Sequence, residues 1–130
     1  MFKIAFNLAI LTFKGDFMNN LDLSYVKKTW IKIPSSQSSN PFYWAAEYRQ
    51  KTDPNSIKPY VILAHGMGGE LEDLEIMSVP LALTGYHVIA FNQTGHGFYP
   101  HRTPGNGKDY SIVMPNVNDI VNFIIQQPDL

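Results

Sequence analysis

Two short apolar runs, each followed by a glycine-rich turn, dominate the pattern of hydrophobic and polar positions along this chain. The first run, 60–64, breaks at His-Gly-Met-Gly-Gly, and the second, 86–91, is followed by a Gly-His-Gly turn at 95–97. Uninterrupted runs rich in valine and isoleucine are typical of strands buried on both faces of a parallel sheet. Leucines at helical spacing fill the segment 70–83 between them. The pattern predicts a βαβ unit with both glycine turns at the carboxyl ends of its strands, where such sheets bind ligands.

The flanking segments extend this unit into a mixed α/β fold. Aromatic and β-branched residues at 23–33 and 42–48 predict two strands, and the polar loop 34–41 between them favours an antiparallel hairpin. Within 70–83, Pro80 is expected to kink or interrupt the helix, and Gly85 to follow its end. A second amphipathic helix is predicted after a Ser111 cap, with its apolar face formed by Val113, Val117, Ile120, Val121 and Ile124. The predicted fold class is α/β, with a mixed, mostly parallel sheet and an antiparallel N-terminal hairpin.

The N-terminal residues 1–22 are interpreted as an extension that precedes a domain over 23–130. Apolar residues between Phe2 and Phe17 recur at helical spacing, which favours an amphipathic helix packed on the core or an interface. An upstream extension before Met18 and a targeting or membrane-contacting segment stay open as alternatives. The apolar stretch 4–13 is shorter than the roughly 20 residues that span a bilayer. No transmembrane span is therefore expected.

Composition narrows the possible partners and chemistry. The 130 residues carry a formal net charge of −1 and no cysteine. The charge gives no reason to expect a nucleic-acid partner, and the absence of cysteine excludes disulfides, thiolate zinc sites and a cysteine nucleophile. Lack of cysteine is consistent with a cytoplasmic protein. Three histidines, His87, His96 and His101, lie near one another in sequence without an acidic ligand pattern, so no metal site is predicted.

The order of hairpin, strand with His-Gly-x-Gly-Gly, helix, and strand with Gly-His-Gly resembles the N-terminal part of the α/β-hydrolase superfamily. The resemblance extends over about 23–127 and is closest to serine aminopeptidases and monoglyceride lipases. It implies hydrolysis of a small-molecule ester or peptide by a serine nucleophile, with no cofactor. It also implies that the backbone N–H of Met67 stabilises the oxyanion, and that His65 and Gly66 support the loop.

The chain departs from this family in its catalytic residues. No serine lies in a Gly-x-Ser-x-Gly nucleophile elbow, which in the family follows a strand that would begin just past Leu130. The nucleophile, acid and base are therefore absent, and no independent catalysis is expected from residues 1–130. Asn92 and Thr94 occupy positions where the family often has aspartate and arginine. Ending before the elbow strand is also expected to leave 61–63 on an open sheet edge, which favours self-association or a complementary chain.

Two other function classes stay open. One is a non-catalytic binding or interaction protein built from the same half of the fold. The other is a nucleotide-binding βαβ module, because a glycine turn before a helix also suits phosphate. In a dinucleotide fingerprint that began at Gly66, the third glycine would fall at Leu71 and the expected acidic residue at Asn92. No Gly-Lys-Ser/Thr sequence is present, which argues against a Walker loop.

Overall fold

A computed structural model describes residues 2–6, 23–36, 41–53, 58–66, 68–107 and 113–127. In chain order its elements are β1 (Phe2–Phe6), β2 (Val26–Pro34), β3 (Phe42–Gln50), β4 (Tyr60–Ala64), a 3-10 turn (Leu71–Leu74), α1 (Glu75–Leu83), β5 (His87–Phe91) and α2 (Val113–Ile125). The strands form one five-stranded mixed sheet in the order β1-β4-β5-β3-β2. The predicted α/β class with a mixed sheet is confirmed.

The strand pairings confirm the hairpin and the βαβ unit. Strands β2 and β3 pair antiparallel, from Val26 opposite Gln50 to Pro34 opposite Phe42. Strands β4 and β5 pair in parallel and in register. Strands β3 and β5 pair antiparallel, however, so only two of the four pairings in the described sheet are parallel. The expectation of a mostly parallel sheet is wrong, because the hairpin joins β5 through a strand that runs in the opposite direction.

Helices cover both faces of the sheet and create two apolar layers. The 3-10 turn and α1 pack on one face, where Leu71, Leu74 and Ala82 are fully buried. Helix α2 packs on the other face through the predicted positions Val117, Ile120 and Ile124. All five residues of β4 are buried, as the uninterrupted apolar run predicted.

The N-terminal residues give two corrections. Phe2–Phe6 form a strand, so the amphipathic-helix interpretation is wrong for these residues. This strand pairs in parallel with β4, from Phe2 opposite Tyr60 to Phe6 opposite Ala64, so the edge of β4 is not open. Strand β1 hydrogen-bonds to the backbone of β4, which is far away in the chain. The spacing of apolar residues within five positions gives no information about such a partner. The rest of the N-terminal stretch, 7–22, lies outside the described residues.

The helices begin and end close to the predicted positions. The segment 70–83 consists of the 3-10 turn followed by α1, which contains Pro80 and continues to Leu83 without interruption. Buried contacts of Val79 and Ala82 with the sheet hold this last turn. Gly85 follows with φ of +100°, a conformation that favours glycine. Ser111 lies outside the described residues, and no described helix has the length and apolarity to cross a membrane.

Candidate functional site

The two glycine turns lie side by side at the carboxyl ends of β4 and β5. Ala64, the last residue of β4, is opposite Phe91, the last residue of β5. The segment 65–70 that follows β4 is called the first loop here, and the segment 92–107 that follows β5 is called the second loop. Parallel pairing places both loops at one edge of the sheet, where the helix N-termini also lie.

His65 is the buried anchor of the first loop. Its side chain is 4% exposed, its Nδ1 lies 2.7 Å from the Gly66 carbonyl oxygen, and its Nε2 accepts a hydrogen bond from the Gln93 backbone N–H at 3.0 Å. Since Nε2 is an acceptor, we assign the ring proton to Nδ1, which donates to Gly66. The Gln93 side-chain amide also donates to the His65 carbonyl oxygen.

Burial keeps His65 neutral. Desolvation lowers the pKa of His65 from its ordinary value of 6.5 to about 4, with a smaller contribution in the same direction from His96. Hydrogen bonding to Gly66 and the charge of Asp73 act in the opposite direction. Because backbone groups occupy both ring nitrogens, His65 positions the loop and has no free nitrogen with which to act as a base.

His96 makes the reciprocal connection from the second loop. The Gly68 backbone N–H donates to His96 Nε2 at 3.3 Å, and His96 Nδ1 lies 3.0 Å from the Thr94 carbonyl oxygen. The two imidazole rings lie next to each other, with centroids 5.0 Å apart. Each loop therefore supplies one histidine that hydrogen-bonds a backbone N–H of the other loop. The sequence places His96 in a glycine turn but does not predict this pairing.

Asn92 joins the second loop to the start of the 3-10 turn. It is fully buried, its Oδ1 accepts from the Leu71 N–H at 2.8 Å, and its Nδ2 donates to the His101 carbonyl oxygen at 2.9 Å. A carboxylate at this position would have no N–H to give to His101, so the asparagine makes a connection that aspartate does not.

Thr94 joins the second loop to α2. Its backbone N–H and its hydroxyl both lie 3.1 Å from Asn116 Oδ1, and both side chains are buried. Asn116 was missed at the sequence level. The available signal was a polar residue next to Val117 on the apolar face of a predicted helix. Neutral hydrogen bonds therefore provide the local connections at both Asn92 and Thr94.

Close backbone packing explains the glycine at position 95. Gly95 has φ of +74°, and a Cβ there would lie 2.8 Å from the Gly105 carbonyl oxygen and would collide with the Gly107 backbone. Backbone hydrogen bonds hold this contact, because the Gly95 N–H donates to the Thr103 carbonyl at 3.0 Å. The second loop is therefore folded back on itself and leaves no room for a side chain at position 95.

The first loop has space beside its glycines, whereas the second loop is closely packed around Gly95. Among the described residues, no atom would lie within 4 Å of a Cβ built on Gly66 or on Gly68. Space for an approaching molecule therefore lies next to these two residues. Met67, between them, lies outside the described residues, so the position of its predicted oxyanion-binding N–H is not described.

The backbone donors at the start of the 3-10 turn are already in use. The N–H groups of 68–71 donate in turn to His96 Nε2, the Gly66 carbonyl, Asp73 Oδ2 and Asn92 Oδ1. Phosphate recognition at a helix N-terminus needs such groups to point at the ligand. The acidic residues Glu70, Glu72 and Asp73 also place negative charge there. This geometry argues against a phosphate cradle at the first loop.

A second polar cluster lies where the other face of the sheet meets α2. Tyr43 donates to Asp119 Oδ2 at 3.0 Å and accepts from the Ser35 hydroxyl at 3.3 Å, while the Ser36 N–H donates to the same carboxylate oxygen at 3.1 Å. Burial, with smaller contributions from Asp119, raises the pKa of Tyr43 to about 12, so the phenol remains protonated and donates. The cluster connects the β2–β3 hairpin to α2.

The remaining histidines do not form a metal centre. The His101 ring stacks on Trp30 with centroids 3.6 Å apart, and His87 packs edge-on against Tyr60. Over the described ranges, no three histidine or acidic side chains come together in a way that would hold a metal ion.

Comparison with known proteins adds no relative. No protein-family model matches the chain, and no curated protein matches its sequence.

Proposed function

We propose that this chain provides the oxyanion-loop half of a serine hydrolase of the α/β-hydrolase superfamily. The proposed substrates are esters, thioesters or amides, and the reaction proceeds through an acyl-enzyme. The nucleophile, acid and base belong to residues other than 1–130. The observation that carries the proposal is an open glycine loop after β4, with β4 placed next to β5 in the sheet.

The strand order supports the proposal. In the resembled fold, the strand that precedes the oxyanion loop lies between the strand with the Gly-His-Gly turn and the elbow strand. Here β4 lies between β5 and β1, and the β2–β3 hairpin lies on the far side of β5. The position of the elbow strand is thus the one that β1 fills.

The anchoring of the first loop supports the proposal of an oxyanion hole. Such a site needs backbone donors that are fixed before the reaction and aimed at an open space. His65 holds the loop at one end, His96 holds Gly68 at the other, and no atom in the described part of the chain comes within 4 Å of a Cβ built on Gly66 or Gly68. By resemblance, the Met67 N–H between these two glycines is the donor. Removing one such donor typically slows catalysis by about 10²–10³-fold.

Neither His65 nor His96 can activate a serine, which supports a catalytic base outside residues 1–130. Backbone groups occupy both nitrogens of His65 and both nitrogens of His96. In the resembled family the base comes late in the chain, after the nucleophile and the acid. Hydrolysis by residues 1–130 alone is therefore not expected.

Ester hydrolysis tests this proposal. Purified 1–130 is expected to hydrolyse p-nitrophenyl acetate and butyrate no faster than buffer. The coding sequence downstream of codon 130 is expected to encode an apolar strand followed by Gly-x-Ser-x-Gly, and the polypeptide that includes it is expected to be active. In that polypeptide, Met67→Pro should lower kcat by about 10²–10³-fold because it deletes the donor N–H. Met67→Ala keeps the N–H and is the matched control. Equal rates for the two variants would contradict the assigned donor.

A non-catalytic binding protein is the second candidate, and β1 is the observation that favours it. Because β1 pairs with β4, the β4 edge is already covered in the absence of an elbow strand. A downstream sequence with no Gly-x-Ser-x-Gly, together with a monodisperse and cooperatively unfolding 1–130, would favour this second candidate over a hydrolase.

A further inference from the structure

A polar groove lies between the end of the β2–β3 hairpin and the C-terminal half of α2. Residues 34–36 of the hairpin form one wall, and side chains within 119–127 form the other. The groove has a volume of about 420 Å³, and small-molecule sites typically have volumes of about 300–1,000 Å³. The groove, called the α2 groove here, is therefore large enough for a small ligand.

Helical spacing explains which side chains face the hairpin. Asp119, Asn122, Phe123 and Gln126 follow one another at intervals of three and four residues, so they share one side of α2. All four line the α2 groove, while the apolar face of the helix packs on the sheet. Asn122 and Gln126 are exposed, and Phe123 is half-buried. This side of the helix therefore offers a ligand one carboxylate, two amides and one aromatic ring.

Asp119 is the most buried of these side chains. It is only 7% exposed, and its Oδ2 accepts hydrogen bonds from the Tyr43 hydroxyl at 3.0 Å and from the Ser36 N–H at 3.1 Å. In the part of the chain that the structure describes, its second oxygen, Oδ1, accepts no hydrogen bond. One oxygen of this carboxylate thus holds the hairpin, and the other is available to a ligand.

The negative charge of Asp119 is not balanced by a cation. The ion pairs among the described residues join Lys28 to Glu75 and Arg49 to Glu47, and none includes Asp119. The sequence 109–130 contains no lysine, arginine or histidine. Buried charges are normally paired. The last turn of α2 also lacks a basic residue, so the negative end of the helix dipole adds to the charge.

The chemistry of the groove favours an organic cation. An ammonium or guanidinium group carries only N–H donors, which match a carboxylate oxygen and the amide oxygens of Asn122 and Gln126. The ring of Phe123 can attract a cation and can also contact its alkyl chain. Metal ions normally need more ligands, and no three histidine or acidic side chains come together among the described residues.

We infer that the α2 groove is a binding site for a small organic cation whose ammonium or guanidinium group pairs with Asp119 and whose alkyl chain contacts Phe123. Tyr43 and Ser36 position the carboxylate by holding Oδ2, which leaves Oδ1 for the ligand. The site is separate from the first loop, and its ligand is not the ester or amide of the proposed hydrolase.

An NMR titration of the whole chain tests the site. The probes are n-butylammonium and n-butylguanidinium chloride, and butan-1-ol is the neutral control of the same chain length. Each cation should shift the backbone amide signals of Asp119, Asn122 and Phe123 in a saturable way, and should bind at least about tenfold more tightly than the alcohol. Equal binding of the alcohol, or shifts confined to other parts of the chain, would overturn the inference.

Two substitutions of the same kind separate the groove from general charge attraction. Asp119→Asn keeps an oxygen that can accept from Tyr43 and Ser36 but removes the charge, so binding should weaken at least about tenfold. Asp53→Asn is the matched control, because Asp53 is exposed and follows the opposite end of β3. It should leave binding unchanged. Equal weakening by both substitutions, or by neither, would contradict a site at Asp119.

A third variant keeps the test decisive if Asp119→Asn does not fold. Phe123→Leu retains the charge and removes the ring, and it should weaken binding of both cations about threefold or more. Unchanged binding would then contradict the site. Displacement of the probes by calcium chloride at equal concentration would also contradict it, because the groove would then prefer a metal ion. None of these measurements depends on hydrolysis, so their failure would leave the proposed function standing.

Discussion

Acid is expected to destabilise this protein through His65. In the folded chain, burial lowers the pKa of His65 to about 4, while the unfolded chain has the ordinary value of 6.5. The unfolded state therefore binds a proton more readily than the folded state. This contribution to the free energy of unfolding is fully present above pH 6.5 and is lost as the pH falls towards 4. The difference in pKa corresponds to about 3 kcal/mol.

Protonation has a defined structural consequence at this site. A proton on His65 Nε2 would remove the acceptor of the Gln93 N–H, which is 3.0 Å away, and would place a positive charge in a buried position. One of the hydrogen bonds that connect the first and second loops would then be lost. Acid should therefore loosen the two loops before it disrupts the hydrophobic layers.

Urea unfolding at pH 7.5, 6, 5 and 4 measures the effect, with His65→Gln as the reference. The glutamine stays neutral throughout, so the titration of carboxylates and other histidines cancels in the difference between the two proteins. The free-energy advantage of the parent over the variant should shrink by about 3 kcal/mol between pH 7.5 and 4. A constant difference across this range would refute the assignment of a buried, neutral His65.

Four substitutions test the packing of the two loops and of the second polar cluster by thermal or urea unfolding. Asn92→Leu should lower the free energy of unfolding by about 2–4 kcal/mol, because it removes the partner of the Leu71 N–H and of the His101 carbonyl. A decrease of less than about 1 kcal/mol would contradict this role of Asn92. Gly95→Ala should lower the free energy of unfolding by about 2 kcal/mol or more, because Gly95 has a positive φ and its added Cβ would collide with backbone atoms. Gly66→Ala should change the free energy of unfolding by less than about 0.5 kcal/mol, because neither condition holds at Gly66. Equal costs would contradict the contrast between the two loops. Tyr43→Phe should cost about 1–2 kcal/mol through loss of the hydrogen bond to Asp119, and no change would mean that this bond contributes nothing.

The sequence predicted the elements whose signals are local. The buried runs of β4 and β5, the leucine spacing between them and the polar hairpin loop each identify an element without knowledge of its neighbours. The parallel pairing of β4 and β5 follows from the helical crossover between them. The proximity of the two glycine turns could therefore be predicted.

Non-local contacts account for what the sequence did not predict. Strand β1 has five residues, and only its pairing with β4 distinguishes it from a helical turn. The reciprocal bonds of His65 and His96 join loops that are far apart in the chain. The hydrogen bonds of Asn116 with Thr94 form only because α2 packs against the second loop. Local periodicity carries no information about such pairings.

Fluorophosphonate labelling followed by mass spectrometry of the adduct tests the central claim most directly. The reagent modifies activated serines and identifies the nucleophile without knowledge of the substrate. No labelled serine is expected within purified 1–130, and one labelled serine in a Gly-x-Ser-x-Gly sequence is expected when the downstream coding sequence is included. An adduct on a serine within 1–130 would contradict the account, because the nucleophile would then lie inside the half that is proposed to provide only the oxyanion loop.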